Sequence, residues 1–303
     1  RGADVYFAFQ GGEPLLAGLN FFREFVEIAG RRNLHRSRIC YSMQTNGILL
    51  DEGWCRFLKA HRFLVGLSLD GYPALHDRYR RDSAGEGTFG AVMKAAELMQ
   101  RRGVDFNILS VVTAALAGEI VEVYRYFKEK NFRFIQFIPY LAPRGAGGPD
   151  ERTLSNELYA EYLIKLFKCY YEDYRQGNYT SIRQFDNYVQ LSRGNPAEQC
   201  GMNGHCSVQF VVEGDGTVYP CDFYCTDDFA LGNVGEHSFR ELGSQGAARF
   251  VAGSLAVPRK CRSCSFFPLC RGGGCRRYRT AGDYCGAYRE FFAYAVPYLN
   301  KMG

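Results

Sequence analysis

The cysteines constrain most strongly what this chain can fold into. Nine of its twelve cysteines lie between Cys200 and Cys285. Within that stretch, close pairs recur in the run Cys261-x2-Cys264-x5-Cys270-x4-Cys275. Eight of the nine thiols make two sets of four, the number that two four-cysteine metal sites need. We therefore expect a domain folded around two metal sites, together with an upstream region that uses them.

The composition excludes several other classes of protein. With 303 residues, of which 47% are apolar and 15% aromatic, the chain can bury a large core and does not need disulfide staples. Close cysteine pairs in such a chain fit metal ligation in a reducing compartment, so we expect a cytoplasmic protein. The net charge of +5 is spread along the sequence, and no apolar run is long enough to span a bilayer. We therefore expect neither a nucleic-acid nor a membrane partner.

Strand-like and helical patterns alternate from Val5 to about Pro139, which predicts βαβ units and a parallel sheet. The strand-like runs are Val5–Phe9, Ile39–Met43, Phe63–Ser68, Phe106–Val112 and Phe132–Ile138. The helical patterns are Leu19–Arg31, Asp51–Ala60, Thr88–Arg102 and Gly118–Lys130, with Asp51 and Thr88 as N-caps. A longer helix over Leu154–Gln176 and a hairpin that turns at Glu213–Gly216 are predicted downstream.

Polar and glycine-rich loops follow several of these strands. They are Gln10–Pro14, Gln44–Gly47, Ser68–Gly71 and Pro139–Leu141. The carboxyl ends of parallel strands meet at one edge of a sheet, where ligands of α/β proteins bind. Gly11 and Gly12 remove side-chain bulk from the first loop, and Glu13 can accept hydrogen bonds from an ammonium group. A plain βα turn is the alternative for this loop, and it is weakened by the similar loops after the following strands.

Together these segments resemble the radical S-adenosylmethionine enzymes that carry a SPASM-type auxiliary-cluster domain, and within them the anaerobic sulfatase-maturating enzymes. The resembling segments are Gln10–Pro14, Gln44–Gly47, Val65–Gly71, Ser181–Asp186, Cys200–Cys206, Val218–Tyr224 and Leu231–Val234. The resemblance covers essentially the whole chain. It implies an α/β fold, in which residues 1–195 form a partial (β/α)6 radical SAM barrel that lacks its first strand and loop. Residues 196–303 would form a SPASM iron–sulfur domain with a β-hairpin and a C-terminal helix.

The resemblance also implies the residues that bind S-adenosylmethionine. Glu13 would lie near the amino group of its methionine part, and Gln10 would help to position the substrate. The remaining cofactor-binding residues would be Gly11, Gly12, Ser68, Arg80 and Leu141. For Arg80 the alternative is a solvated loop, because Arg78 and Arg81 lie beside it.

The same resemblance divides the cysteines between two [4Fe–4S] clusters. One cluster would be held by Cys200, Cys206, Cys221 and Cys275, and the other by Cys261, Cys264, Cys270 and Cys285. Four residues separate Cys270 from Cys275, where the family usually has three, so an extra glycine must be absorbed as a bulge. Structural zinc is the alternative, because C-x2-C pairs also ligate zinc. The charge of an anionic cluster would be offset by nearby arginines, namely Arg271, Arg276, Arg277 and Arg279.

Asp222 is the candidate catalytic residue. It directly follows Cys221, so we expect its carboxylate to be partly desolvated beside a cluster and to act as a general base. An aspartate in an ordinary turn is the alternative. Cys225 is interpreted as a buried spare thiol, and three further cysteines are predicted to lie in the core, namely Cys40, Cys55 and Cys169.

In the resembling family, a reduced N-terminal cluster cleaves S-adenosylmethionine to a 5′-deoxyadenosyl radical. The radical removes a hydrogen atom from Cβ of a cysteine or serine in an unfolded sulfatase polypeptide. Asp222 would then take a proton, an auxiliary cluster would take an electron, and the product would become Cα-formylglycine. A flavodoxin or ferredoxin would supply electrons.

The N-terminal cluster of that family, a third one, needs a C-x3-C-x2-C loop, and this spacing does not occur in the 303 residues. We therefore expect the sequence to be N-terminally incomplete and this piece to be inactive alone. Two other functions remain open at this point. One is a non-catalytic iron–sulfur module for electron transfer or binding, and the other is a SPASM enzyme that forms crosslinks or thioethers in a ribosomal peptide.

Overall fold

The computed structural model describes residues 4–142, 150–277 and 283–302 of the chain, so Arg279 lies outside the described residues. Two compact units are present. The first comprises Arg1–Tyr140 and Cys169–Arg183, and the second comprises Leu141–Lys168 and Gln184–Gly303. The predicted domain boundary between residues 195 and 196 stays a prediction.

The first unit contains a sheet of six strands, and all neighbouring strands in it are parallel. Its strands are β1 (Val5–Phe9), β2 (Ile39–Thr45), β3 (Leu64–Ser68), β4 (Phe106–Val112), β5 (Phe134–Pro139) and β6 (Ser181–Ile182). Their spatial order is their sequence order, so each crossover advances the sheet in the same direction, as in a barrel. The predicted α/β class is confirmed. The sequence pattern does not predict β6, because two residues are too few to show alternation.

Helices connect these strands. They are α1 (Leu19–Arg32), α2 (Glu52–Ala60), α3 (Pro73–Tyr79), α4 (Phe89–Arg102), α5 (Ala114–Gly118) and α6 (Ile120–Glu129). Asp51 caps α2 as predicted, since its Oδ1 accepts a hydrogen bond from the Trp54 N–H at 2.8 Å. Thr88 is the N-cap residue of α4, as predicted, but its side chain makes no capping hydrogen bond. Its hydroxyl donates to the Arg80 carbonyl, and Asp77 Oδ1 accepts from the first N–H of α4 instead, at 2.8 Å.

Alternate residues of the strands separate the core from a polar face. Val65 and Leu67 of β3 are fully buried, as hydrophobic residues on one face of a covered sheet are expected to be. Gly66 and Ser68 occupy the alternate positions of the same strand, and Gly66 lies opposite Gln44 in the register of β2 and β3. The apolar side chains of the sheet therefore lie on one face, and polar side chains lie on the opposite face.

The second unit contains a small antiparallel sheet and several helices. The strands are β7 (Val211–Val212), β8 (Thr217–Tyr219) and β9 (Gly232–Asn233), and β7 and β8 form the predicted hairpin. The remaining helices are α7 (Asn156–Arg175), α8 (Arg183–Ser192), α9 (Phe239–Leu242), α10 (Gln245–Ser254), α11 (Phe267–Cys270) and α12 (Cys285–Leu299). Residues 169–175 of α7 and the first residue of α8 belong to the first unit. Three buried phenylalanines, Phe167, Phe185 and Phe291, pack with ring centroids 5.2 to 5.8 Å apart. In the described part of the chain, no helix is both long and apolar enough to cross a membrane.

Candidate functional site

Glu13 joins the carboxyl ends of β1 and β2. Its carboxylate accepts hydrogen bonds from the Thr45 hydroxyl at 2.6 Å, from the Asn46 N–H at 2.8 Å and from the Leu15 N–H at 3.1 Å. A carboxylate has about four lone-pair directions, so roughly one remains for a ligand. The chain itself therefore orients Glu13 before any ligand binds.

The loop before Glu13 is open. Gly11 and Gly12 have φ angles of +83° and +51°, in the left-handed region that favours glycine. Among the described residues, none places an atom within 4 Å of a Cβ added at either position. Both glycines and Gln10, which directly follows β1, are exposed. A ligand can therefore approach the backbone here without meeting a side chain.

Ser68 is held from β2. The Gln44 side-chain amide donates to Ser68 Oγ at 2.9 Å, and Ser68 is buried. The amide lies directly over Gly66, because a Cβ on Gly66 would be 2.2 Å from Gln44 Oε1. Glycine at this position is therefore what lets Gln44 reach across to Ser68.

Arg80 forms an ion pair with Asp70. Arg80 Nε donates to one oxygen of that carboxylate, while the other oxygen accepts from the Val111 N–H at 2.7 Å. The two side chains are only 26% and 13% exposed. The alternative of a fully solvated arginine is therefore wrong, because Asp70 fixes the guanidinium near the ends of β3 and β4.

His76 is uncharged and holds the loop that carries Asp70. It is fully buried, its Nδ1 accepts from the Asp70 N–H at 3.2 Å, and its Nε2 lies 3.1 Å from the Thr88 hydroxyl. Burial lowers the pKa of His76 to about 4. Sequence reasoning gave no role to Asp70 or His76, although the position of Asp70 in a polar loop after a strand was a usable signal.

A chain of hydrogen bonds thus joins the carboxyl ends of four successive strands. It runs from Glu13 to β2, from Gln44 to β3, and from Asp70 to β4. Five of the predicted cofactor-binding residues belong to the first unit, namely Gly11, Gly12, Glu13, Ser68 and Arg80. Leu141 is half-buried and belongs to the second unit, two positions after β5 ends.

In the second unit, the structure brings Cys206 and Cys275 together. A hydrogen bond between the two thiols lowers the pKa of Cys206 to about 6 and raises the pKa of Cys275. The pair therefore holds a single proton more easily than two. Cys221 lies close enough to both thiols for electrostatic interaction, and burial raises its pKa to about 12.

The glycines before Cys275 explain how the extra residue is accommodated. Gly272, Gly273 and Gly274 all have positive φ angles, of +71°, +87° and +73°. A Cβ on Gly274 would be 2.3 Å from the carbonyl oxygen of Gly201, the residue that follows Cys200. The loop therefore packs tightly against the segment that carries Cys200, and the additional glycine is absorbed by left-handed backbone.

The other four predicted ligands surround a cavity of about 430 Å³. Cys261, Cys264, Cys270 and Cys285 all line it. Aromatic rings supply much of the remaining wall, including Phe266, Tyr284, Tyr288 and Phe292. Burial raises the pKa of Cys270 to about 11, so this thiol needs a metal to become a thiolate at neutral pH.

These four thiols line a cavity and do not converge on one point. Among residues 4–142, 150–277 and 283–302, no three His, Cys, Asp or Glu side chains converge on a position for a single metal ion. A polynuclear iron–sulfur cluster fills a volume between four thiolates, so the cavity suits such a group.

Asp222 is exposed, so the expectation that it is partly desolvated is wrong in this structure. It is the first residue of a short 3-10 helix, Asp222–Tyr224, whose buried residue is Tyr224. The Asp222 carboxylate accepts from the Cys221 thiol at 3.2 Å and from the Phe223 N–H at 3.0 Å. The link between Asp222 and a candidate cluster ligand is therefore direct.

The remaining cysteines differ in burial. Cys55 is fully buried as predicted, whereas Cys40 and Cys169 are only half-buried. Cys225 is also half-buried, and burial raises its pKa to about 11. None of these positions changes the division of the other eight thiols into two groups.

Comparison with known families defines the class of this protein. Residues 1–127 match the radical SAM superfamily, and residues 200–265 match SPASM, an iron–sulfur cluster-binding domain. The chain is a radical SAM protein with an auxiliary-cluster domain, and the predicted fold is confirmed. The cofactors of this class are S-adenosylmethionine and [4Fe–4S] clusters, which sets aside the zinc alternative.

Individual relatives narrow the class further. The chain is 45% identical to the cysteine-type anaerobic sulfatase-maturating enzyme of Clostridium perfringens, over 98% of this chain and 82% of the relative. A serine-type enzyme of Klebsiella aerogenes is 29% identical over 96% of this chain and 72% of the relative. A solved structure, described as native anSMEcpe with bound AdoMet and Cp18Cys peptide, superposes with a TM-score of 0.94 at 44% identity, over 98% of this chain and 84% of that one. The chain belongs to the family of anaerobic sulfatase-maturating enzymes.

Proposed function

We propose that this protein oxidises a cysteine of an unfolded sulfatase polypeptide to Cα-formylglycine. The observation that carries the proposal is the 45% identity to a cysteine-type enzyme along nearly the whole chain, against 29% to a serine-type enzyme. The matched region covers 98% of this chain and so spans both the carboxyl edge of the sheet and the two groups of thiols. The proposed substrate is therefore a cysteine-containing peptide segment.

The carboxyl edge of the parallel sheet is the proposed S-adenosylmethionine site. Gly11 and Gly12 leave the backbone open, and Glu13 keeps one acceptor direction for the ammonium group of the cofactor. Ser68, Arg80 and Leu141 are proposed to hold the rest of the cofactor, and Gln10 to contact the peptide. When bound, S-adenosylmethionine and the third, N-terminal cluster of the family would supply the hydrogen-abstracting radical, and the auxiliary clusters would accept the second electron.

The two groups of thiols are the proposed cluster ligands. Cys261, Cys264, Cys270 and Cys285 are proposed to hold one [4Fe–4S] cluster in the cavity that they line. The other cluster is assigned to Cys200, Cys206, Cys221 and Cys275, on the contact between Cys206 and Cys275 and the packing of Gly274 on Gly201.

Asp222 is the proposed general base. Oxidation of the substrate removes two electrons, one with the Cβ hydrogen atom and one after the proton of the substrate thiol has moved to Asp222. Hydrolysis of the resulting carbon–sulfur double bond releases sulfide and leaves the aldehyde. The exposure of Asp222 suits a residue that must meet a peptide within hydrogen-bond reach.

The proposed electron donor is a small acidic carrier, a flavodoxin or ferredoxin, in the cytoplasm. Arg289 and Lys260 are exposed and line the cavity of the second thiol group, where Lys260 forms an ion pair with Asp283. Arg259 and Arg262 are exposed next to Lys260 in sequence. Such a group of cations favours association with an acidic protein.

A peptide assay tests the proposed function. The complete gene product that contains this chain is reconstituted with iron and sulfide under anaerobic conditions and mixed with a reductant, S-adenosylmethionine and a Cys-x-Pro-x-Arg peptide. Mass spectrometry is expected to show replacement of the thiol by an aldehyde. The matched peptide with serine is expected to react more slowly, and the peptide with alanine not at all. Formation of 5′-deoxyadenosine with a crosslinked or thioether product instead would overturn the proposal.

A further inference from the structure

Arg276 lies inside a cage of aromatic rings. Its guanidinium carbon is 5.5 Å from the ring centroid of Tyr224, 5.5 Å from that of Phe229 and 5.8 Å from that of Phe250. The three rings also pack against one another, with centroids 4.8 to 5.8 Å apart. Cation–π attraction to three faces holds the guanidinium in one place.

The cage is built against the first group of thiols. Tyr224 and Phe250 share a buried apolar cluster with Cys206, and Cys221 packs against the same cluster. Arg276 directly follows Cys275, and its backbone N–H lies within hydrogen-bonding reach of the Cys206 sulfur. The guanidinium is also close enough to Cys206 to act on it electrostatically.

Among the described residues, no carboxylate forms an ion pair with Arg276, and its guanidinium contacts aromatic rings instead. Its described neighbours in the arginine-rich segment are held differently. Arg271 donates to the Pro268 carbonyl and Arg277 to the Ala142 carbonyl.

We propose that Arg276 is a positioning residue that raises the reduction potential of the cluster held by Cys200, Cys206, Cys221 and Cys275. This inference rests on the proposed assignment of that cluster. Reduction adds one negative charge to an already anionic four-thiolate cluster, and a fixed cation beside two of its ligands stabilises the reduced form more than the oxidised one. The aromatic cage keeps the cation there, and no carboxylate of the described residues is paired with it.

The test compares Arg276→Met and Arg276→Lys with the wild-type chain. Methionine fills the cage without a charge, because a thioether packs well on aromatic rings, whereas lysine keeps the charge. Arg249→Met is the matched control, since Arg249 is exposed on the helix that carries Phe250. Each reconstituted protein is first analysed for iron and then titrated with dithionite while the reduced clusters are followed by electron paramagnetic resonance.

In Arg276→Met, one of the two reduction steps is expected to show at least a tenfold lower ratio of reduced to oxidised cluster at a fixed potential, which is ~59 mV for a one-electron couple. The potential of the other reduction step is expected to be the same as in the wild type. Both potentials are expected to stay near wild type in Arg276→Lys and in Arg249→Met. Loss of a cluster in the methionine variant with retention in the lysine variant also supports a role of the charge. Four outcomes would overturn the proposed role of Arg276. They are unchanged reduction potentials in Arg276→Met, equal shifts of both reduction steps, a shift in Arg249→Met, and loss of iron in both Arg276 variants. If the wild-type chain binds no iron, the cluster assignment itself fails.

Discussion

The Thr45 hydroxyl donates a hydrogen bond to Glu13 Oε1 at 2.6 Å and so joins the loop after β1 to the last residue of β2. The same carboxylate also receives the Asn46 N–H, through its second oxygen. Glu13 therefore stabilises the edge of the sheet. Its remaining acceptor direction is the one that we propose for the ammonium group of the cofactor.

Glu13→Gln is expected to lower both stability and affinity. A glutamine side chain has one acceptor oxygen where the carboxylate has two. Either the Thr45 hydroxyl or the Asn46 N–H therefore loses its charged acceptor, at a cost of about 1.5–3 kcal/mol in the free energy of unfolding. Denaturant titration measures this cost, and calorimetry measures the weaker binding of S-adenosylmethionine. Glu24→Gln, on the exposed surface of α1, is the control and should change stability by less than about 0.5 kcal/mol. Equal unfolding midpoints for Glu13→Gln and the wild type contradict the structural role.

His76 is expected to make stability depend on pH. Because burial lowers its pKa from 6.5 to about 4, the unfolded chain takes up the proton first as the pH falls. Stability is therefore complete above pH 6.5 and declines by about 1.4 kcal/mol per pH unit down to about pH 4. In His76→Asn the slope in this window should be smaller, whereas His61→Asn, at an exposed position, should leave it unchanged. If the free energy of unfolding falls with pH equally steeply in His76→Asn and in the wild type, His76 is not the group responsible.

Gly274→Ala is expected to remove one cluster. The new Cβ would lie 2.3 Å from the Gly201 carbonyl oxygen at a φ of +73°, so the loop that presents Cys275 must move. Iron bound by the reconstituted 303-residue chain should fall from about eight to about four atoms, while the Cys261 group keeps its cluster. Gly214→Ala, where the added Cβ meets no described atom within 4 Å, should retain all of the iron. Full iron content in Gly274→Ala would count against the assignment of Cys275.

Asp222→Asn is expected to separate the two halves of the reaction. In the complete gene product, the variant should still form 5′-deoxyadenosine, because the proposed cofactor site is intact. Formylglycine should fall by about 10²–10⁴-fold, the usual effect of losing a general base. Chromatography of the nucleoside and mass spectrometry of the peptide measure the two products. Asp228→Asn, another exposed carboxylate close in sequence, is the control. Normal peptide oxidation in Asp222→Asn would show that another group takes the proton.

Reduction by an acidic carrier is expected to depend on salt. The exposed cations Lys260 and Arg289 should accelerate encounter with reduced flavodoxin, and screening should slow it as ionic strength rises. Stopped-flow absorbance should show a rate about tenfold lower at low salt in a Lys260→Glu, Arg289→Glu variant. The control is an Arg31→Glu, Arg32→Glu variant, which reverses two exposed charges at the end of α1 and should leave the rate near that of the wild type. A salt-independent rate would argue against this surface as the docking site.

Local patterns predicted most of the parallel sheet. The bounds of β1 and β4 agree with the predicted runs, because alternation and loop residues are visible within a few positions. The two-residue strand β6 and the helix Pro73–Tyr79 were not predicted, since neither is long enough to show a period. The sequence does not predict that Asp77 accepts from the first N–H of α4, because Asp77 lies twelve residues before Phe89 and belongs to another helix.

The number and spacing of the cysteines predict two metal sites, the polar loops after the strands predict a binding edge of the sheet, and the resemblance of these segments to SPASM-containing radical SAM enzymes gives the class of this protein. The resemblance implies that Cys206 and Cys275 share a cluster, and the tertiary structure brings these two thiols, 69 positions apart in sequence, together. Only the tertiary structure decided that Asp222 is exposed and that Arg276 enters an aromatic cage. These relationships depend on the left-handed glycines before Cys275 and on the packing of rings from separate loops, which no local sequence pattern encodes.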